Sequence, residues 1–152
     1  MVDIEVEIAH SKIARDPDNL ISRGLGSCVV VILYDTKLKI GALSHAVLPH
    51  QMIYENQKND NPARFVDTAI DDMLHKMIAF GCTRRNIEAK IVGGANMFPG
   101  VESSIGKDNV LSAREKLKKE SIKITGEATS GTVGRSIEFS TKTGLVAVKM
   151  MF

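Results

Sequence analysis

The sequence has no tryptophan, only 5% aromatic residues and only two cysteines among its 152 residues. Cys28 and Cys82 do not form a CxxC pair, which argues against a zinc site of the thiolate type. A disulfide between them is not expected in a reducing cytoplasm. The apolar run at residues 29–33 is far too short to span a bilayer, so no membrane insertion is expected. Each cysteine therefore needs an explanation of its own.

Strong charge of either sign is also lacking, because 20 basic and 18 acidic residues leave a net charge of +2. The two signs are interspersed, which gives no electrostatic basis for binding nucleic acid or an anionic membrane. No basic segment precedes an apolar stretch at the N-terminus, so a secretory signal is not expected. The hydrophobic fraction of 43% suits a folded core. We expect a single cytoplasmic domain over residues 1–152.

Hydrophobic periodicity predicts more strands than helices. Residues 3–8 alternate, and the continuous β-branched run at residues 29–34 predicts a strand covered on both faces. Strands are also expected at residues 20–25, 40–48, 87–92, 122–128, 133–139 and 145–149.

Two helices are predicted, one beginning at Pro62 and ending at Gly81, and one over residues 107–120. The inner side of the second helix is expected to carry Val110, Leu111, Arg114 and Leu117. These elements predict an α/β (α+β) fold, with a mixed, largely antiparallel sheet assembly and two main helices packed on one side.

The segment at residues 22–28 is a glycine loop that ends in a thiol. Gly24 and Gly26 allow positive φ and close approach of the backbone to a ligand, and Cys28 follows at the start of a buried strand. The loop lacks the third glycine of a dinucleotide fingerprint and the lysine of a phosphate-binding loop. Its amide hydrogens are suited to face an oxyanion beside a thiol nucleophile.

A pairing argument connects Cys28 with His45. If the hairpin turns on Thr36 and Lys37, Cys28 lies directly opposite His45, with Cβ atoms about 5 Å apart on the same side of the sheet. An imidazole in that place takes the proton of the thiol or lowers its pKa. Because Thr-Lys is not a favoured two-residue turn, a bulge or longer turn would shift this register.

The other cysteine and the other histidines have simpler interpretations. A buried free cysteine is most often a small hydrophobe, and this interpretation suits Cys82 near a helix end. His10, His50 and His75 show no spacing typical of metal ligands. The sequence therefore predicts neither a metal site nor a cofactor.

Five segments, in the same order along the chain, resemble the CheD family of chemoreceptor glutamine deamidases. They are Gly24-Leu25-Gly26-Ser27-Cys28, His45 with Leu48-Pro49, Gly93-Gly94-Ala95-Asn96-Met97-Phe98, Ile105-Gly106 with Asn109-Val110, and Gly134-Arg135-Ser136. The resemblance implies a three-layer α/β/β fold and a catalytic pair formed by Cys28 and His45. A third position, usually a threonine that orients the histidine, is Ser22 in this sequence. A second departure is Ser130, where the family often has a glycine.

The resemblance also implies a mechanism. His45 holds Cys28 as a thiolate, which attacks the side-chain amide of a receptor glutamine and releases ammonia through a thioester. The backbone around Gly26 and Ser27, together with Gly94 and Ala95, is expected to stabilise the oxyanion or bind the substrate.

Chemoreceptor cytoplasmic domains and a CheC-type phosphatase are the partners that the resemblance implies. Met97 and Phe98 are the candidate partner-binding residues, although an aromatic after two glycines also suits the core. Two other functions stay open. One is an adaptor that acts mainly by binding CheC or receptors, and the other is a different amidase or peptidase with a Cys-His pair.

Overall fold

The computed structural model describes residues 1–51, 61–98, 100 and 103–151. Over these residues it contains the following strands and helices. The strands are β1 Asp3–Glu5, β2 Ser11–Arg15, β3 Asn19–Leu25, β4 Val29–Asp35, β5 Ile40–Ala46, β6 Ile87–Gly93, β7 Lys123–Thr129, β8 Gly134–Ser140 and β9 Val146–Met151; the helices are α1 Val66–Ala79 and α2 Ile105–Lys119. Short 3₁₀ turns at Pro62–Arg64 and Arg84–Asn86 precede α1 and β6.

The strands form two sheets. One has the order β2-β5-β4-β6-β7 and the other the order β1-β3-β8-β9. Among the described strands, β1 with β3 and β6 with β7 pair in parallel, and all the other pairs are antiparallel. The predicted mixed, largely antiparallel arrangement is confirmed.

Strand β4 lies at the centre of the molecule and explains the three layers. Its odd-numbered residues pack into a core cluster with α1 and α2, and its even-numbered residues pack into a second cluster with the four-stranded sheet. Because both faces are covered, every residue of β4 is buried and the strand reads as one apolar run. The expected three-layer α/β/β architecture is therefore confirmed.

The structure differs from the sequence predictions at three polar or short elements. Strand β2 was not predicted, because this five-residue edge strand has few apolar side chains. Only residues 3–5 of the alternating segment 3–8 are a strand. In α2, Leu111 and Arg114 are exposed instead of facing inward. The buried side of α2 carries two polar residues, Asn109 and Ser112, which find hydrogen-bond acceptors in loops and so turn that face inward.

The loop at Ser130 keeps a conformation that glycine favours. Ser130 has a φ of +66° and Gly131 a φ of +76°. The Arg135 guanidinium donates to the Ser130 carbonyl oxygen at 2.8 Å, and the Gly131 carbonyl accepts from the Asn96 amide at 2.9 Å. Serine therefore occupies a left-handed conformation here, in a loop that neighbouring groups hold in place.

Candidate active site

The site is built around a hydrogen bond that joins the two sheets. Ser22 on β3 belongs to the four-stranded sheet, and His45 on β5 belongs to the five-stranded sheet. Their atoms Oγ and Nδ1 lie 2.9 Å apart, and both residues are buried. A contact of this length between two buried polar groups fixes the plane and the direction of the imidazole.

The partners of Ser22 determine the tautomer of His45. The Ser22 hydroxyl donates its hydrogen to the Val6 carbonyl oxygen at 2.8 Å. A hydroxyl has one hydrogen, so its oxygen must accept from Nδ1–H of His45. The remaining ring nitrogen, Nε2, is then unprotonated. Within the described part of the chain, this buried atom has no hydrogen-bond partner. The ring therefore presents a free base.

Cys28 does not lie directly opposite His45, so the predicted pairing of the two strands is wrong by two residues. The partner of His45 on β4 is Val30. The hairpin turn spans four residues, 36–39, and not two. The Asp35 carboxylate accepts from the amides of Lys37 and Leu38, each at 2.9 Å, which closes this longer turn.

The two residues nevertheless share one face of the sheet. Cys28 comes two residues before Val30, and successive side chains of an extended chain alternate between faces. Val30 faces the space between the sheets, where Leu43 on β5 also packs, and His45 lies two residues after Leu43. Continuing this alternation one residue beyond β4 makes Cys28 a diagonal neighbour of His45, a relation that separates Cα atoms by about 7–8 Å in a sheet.

Burial keeps the cysteine and the histidine in their neutral forms. Cys28 is 9% exposed and His45 is 2% exposed. Desolvation raises the pKa of the Cys28 thiol, and the amide of Cys28 itself partly opposes this by donating toward the sulfur. Desolvation lowers the pKa of His45. Both shifts favour a neutral thiol beside a neutral imidazole, whereas the sequence led us to expect that His45 holds Cys28 as a thiolate.

The glycine loops hold the Cys28 segment in place. The Gly94 amide donates to the Cys28 carbonyl oxygen, and the Ala95 amide donates to the Gly26 carbonyl oxygen, each at 2.9 Å. The expected use of Gly94 and Ala95 as oxyanion donors does not fit these bonds, because both hydrogens are already engaged. A Cβ on Gly93, which has a φ of +110°, would collide with the Cys28 carbonyl oxygen.

Two amides just before β4, unlike those of Gly94 and Ala95, are not engaged by backbone carbonyls in the described part of the chain. Among the described residues, the amides of Ser27 and Cys28 donate to no other backbone carbonyl. The Cys28 amide lies against its own sulfur. These are the N–H groups of the cysteine and of the residue that precedes it.

Met97 and Phe98 lie at the surface next to this loop. Met97 is 46% exposed and Phe98 is 71% exposed, so the alternative that Phe98 belongs to the core is wrong. A Cβ added at Gly26 would lie 2.7 Å from the Met97 sulfur. The methionine therefore covers the glycine loop that precedes Cys28.

Two buried polar residues near the site were not singled out from sequence. Asn109 on α2 donates from Nδ2 to the carbonyl oxygens of Ser27 and Val47, both at 2.9 Å. Arg135 on β8 holds the Ser130 loop, and burial lowers the pKa of its guanidinium. Both lie in segments that carried the family resemblance, and this resemblance was the one sequence feature that could have pointed to them.

Cys82 is a separate, structural cysteine, as predicted. It is buried beside Asp35, the carboxylate that closes the β4–β5 turn. Burial, together with the charge and hydrogen bond of Asp35, raises the pKa of Cys82 to about 11. No group of three or more metal-binding side chains occurs in residues 1–51, 61–98, 100 and 103–151. Over the same residues, no helix is long and apolar enough to cross a membrane.

The fold and this cluster define a three-layer α/β/β protein with a cysteine and a serine-bound histidine between its sheets. A family model described as CheD chemotactic sensory transduction matches residues 47–150. The chain belongs to the CheD family.

The curated relatives extend the match to the N-terminal half, which holds Ser22, Cys28 and His45. A probable chemoreceptor glutamine deamidase CheD 2 of Geobacter metallireducens is 40% identical over 152 residues, covering 97% of this chain and 93% of the relative. A probable chemoreceptor glutamine deamidase CheD 1 of Methanosarcina acetivorans is 42% identical over 148 residues, covering 97% and 92%. One from Thermococcus kodakarensis is 36% identical over 151 residues, with the same coverage.

We expect iodoacetamide to label Cys28 faster than Cys82 at neutral pH, because the thiolate is the reactive form and the pKa of Cys82 is raised to about 11. The Asp35 carboxylate opposes ionisation of Cys82, whereas Cys28 has a base on its own face of the sheet. Mass spectrometry of the labelled peptides measures both rates in one sample. Equal rates, or faster labelling of Cys82, would contradict the assignment of Cys28 as the activated thiol.

Proposed function

We propose that this protein deamidates specific glutamine side chains of chemoreceptors, producing glutamate and ammonia. The observation that carries the proposal is the buried Ser22–His45 hydrogen bond, which leaves Nε2 as a base on the face that Cys28 shares. The names of the relatives supply the substrate class. We place the reaction in the cytoplasm, because the nucleophile requires a reduced thiol.

In the first half of the reaction, the sulfur of Cys28 attacks the δ-carbonyl carbon of the glutamine. The thiol proton moves to Nε2 of His45 as the carbon–sulfur bond forms, and the carbonyl electron pair moves to oxygen. His45 then gives this proton to the amide nitrogen. The carbon–nitrogen bond breaks, ammonia leaves, and a thioester remains on Cys28.

In the second half, water hydrolyses the thioester. Nε2 of His45 accepts a proton from water, whose oxygen attacks the acyl carbon. The carbon–sulfur bond breaks and the sulfur recovers the proton from His45. The cycle consumes one water and releases one ammonia, so it uses no redox partner and no cofactor.

The neutral resting pair suits this sequence of proton transfers. A histidine is a base only when it is unprotonated, and burial of His45 lowers its pKa below the ordinary value of 6.5. The base form therefore predominates at neutral pH. Proton transfer during attack removes the need for a standing thiolate, which burial disfavours at Cys28.

The oxyanion is assigned to the amides of Ser27 and Cys28. These N–H groups are not engaged by other carbonyls in the described chain, and they adjoin the attacking sulfur. Gly26, Gly94 and Ala95 act indirectly, since their backbone bonds hold the loop that presents these donors.

Met97 and Phe98 are proposed as the docking surface for receptor helices and for a CheC-type phosphatase. Phe98 is a large apolar side chain that is mostly exposed, and such residues often anchor protein interfaces. Met97 contacts the glycine loop, so a protein held by this pair lies beside Cys28.

The proposed reaction is tested on receptor cytoplasmic fragments incubated with the protein. We expect conversion of specific glutamines to glutamate, seen by mass spectrometry as the mass change from amide to acid, with equimolar ammonia. Cys28→Ala and His45→Ala should each abolish conversion, and the double variant should cost little more, because the two residues act as one unit. Cys82→Ala is the matched control and should retain activity. Conversion by folded Cys28→Ala would overturn the proposed nucleophile.

Ser22 is expected to orient His45, so Ser22→Ala should lower kcat about 10-fold to 100-fold while the fold persists. Ser22→Thr should hold or raise kcat, because the added methyl restricts χ1 and keeps the hydroxyl. Ser44→Ala is the control, since Ser44 is also a buried serine and adjoins His45 in β5. Ammonia release at saturating receptor measures kcat. A kcat within about twofold in Ser22→Ala, about 0.4 kcal/mol in barrier, would reduce the unit to Cys28 and His45.

Phe98→Ala is expected to weaken binding of receptor fragments or CheC at least about tenfold, as truncation of an interface anchor does. Isothermal calorimetry measures the affinity and circular dichroism verifies the fold. Phe80→Ala is the matched control, because Phe80 is similarly exposed at 67% and lies at the end of α1. Equal affinities for the two variants would assign no docking role to Phe98.

A further inference from the structure

Asn109 connects the two chain segments that carry Cys28 and His45. It is fully buried on α2, and its side-chain amide donates to the carbonyl oxygens of Ser27 and Val47 at 2.9 Å each. Ser27 immediately precedes Cys28, and Val47 comes two residues after His45. Only the NH₂ end of the amide can serve two carbonyl oxygens, so its orientation is chemically determined.

These contacts lie just beyond the end of the β4–β5 ladder. The last backbone pair toward the site is Val29 with Ala46. Among the described residues no β4–β5 pair follows it, and Asn109 supplies the connection between the two segments. The side-chain amide thus links the two segments where the backbone pairing has ended.

The bond to Ser27 also determines where the Cys28 amide points. A trans peptide is planar, and its C=O and N–H point in opposite directions. Because α2 packs on the helix side of the five-stranded sheet, Asn109 draws the Ser27 carbonyl toward that side. The N–H of Cys28, on the same peptide, then points to the opposite side and toward its own sulfur.

We propose that Asn109 is a positioning residue of the deamidation reaction. By holding the Ser27–Cys28 peptide, it aims the Cys28 amide at the forming oxyanion, and by holding Val47 it sets the distance between Cys28 and His45. This inference rests on the proposed function for its catalytic part. Its geometric part concerns the thiol alone and can be measured without a receptor.

The test uses the full chain with Asn109→Ala. The rate of Cys28 alkylation by iodoacetamide is measured against pH. In the unmodified protein burial raises the pKa of the thiol, and the Cys28 amide partly lowers it again. Release of the peptide should move the midpoint of this profile upward by about 0.5–1 pH unit. With receptor fragments, kcat should fall about 10-fold to 100-fold and KM should change by less than about twofold, as expected for an interaction made in the transition state.

Ser112→Ala is the matched control. Ser112 is also buried on α2, and its hydroxyl donates to the Pro49 carbonyl oxygen at 2.7 Å. This variant should lose thermal stability, and its alkylation profile and kcat should match those of the unmodified protein. A purely structural role for Asn109 would make the two variants alike.

An unshifted alkylation profile in folded Asn109→Ala, or a kcat within about twofold of the unmodified protein, overturns the inference. If the alanine variant does not fold, Asn109→Ser, which retains one donor, is judged by the same two criteria. If the unmodified protein releases no ammonia from receptors, the proposed function fails, and the alkylation profile still decides whether Asn109 positions the Cys28 amide.

Discussion

The hydrogen bond between Ser22 and His45 is the interaction on which the site depends. It crosses from one sheet to the other, so it exists only when the two sheets are packed correctly. Leu20, Leu25 and Leu43 fill the space around it and exclude water. In this apolar setting, a polar contact is strong and an unpaired ring nitrogen is costly. The fold therefore holds a histidine with Nδ1 engaged and Nε2 unpaired among the described residues, and Nε2 is the base of the reaction that we propose.

Burial has a second consequence, since it decides the charge of the reacting groups. A thiolate and an imidazolium would both need solvation that the space between the sheets does not provide, and the pKa values of Cys28 and His45 shift in opposite directions accordingly. The site is consequently a neutral pair. In the reaction that we propose, catalysis therefore comes from aligned proton transfer and from amides that face the developing charge.

Three hydrogen bonds hold the backbone around Cys28. The amides of Gly94 and Ala95, which follow β6, donate to the carbonyl oxygens of Cys28 and Gly26, and the side chain of Asn109 on α2 donates to the Ser27 carbonyl oxygen. Every carbonyl of the loop from Gly26 to Cys28 is thus engaged, whereas the amides of Ser27 and Cys28 remain available among the described residues. Glycine is needed at residue 93 because a Cβ there would collide with the Cys28 carbonyl oxygen, and at residue 94 because a Cβ there would collide with the Val110 side chain and the Gly106 carbonyl oxygen.

Much of the fold could be predicted from sequence, because the buried strand β4 and the helix α1 have strong apolar patterns of the expected periods. The short polar strand β2 and the buried face of α2 could not, since Asn109 and Ser112 face inward only when distant carbonyls accept their hydrogen bonds.

For the site, the sequence by itself predicted that Cys28 and His45 share a face of the sheet. Side chains alternate with a period of two, so a hairpin turn of two residues or of four gives the same face. Only the tertiary structure decided the rest. The turn closed by Asp35 set the diagonal register, and sheet packing brought Ser22 to His45 and left Nε2 free. Contacts between residues distant in sequence depend on the packing of whole layers, which local patterns do not encode.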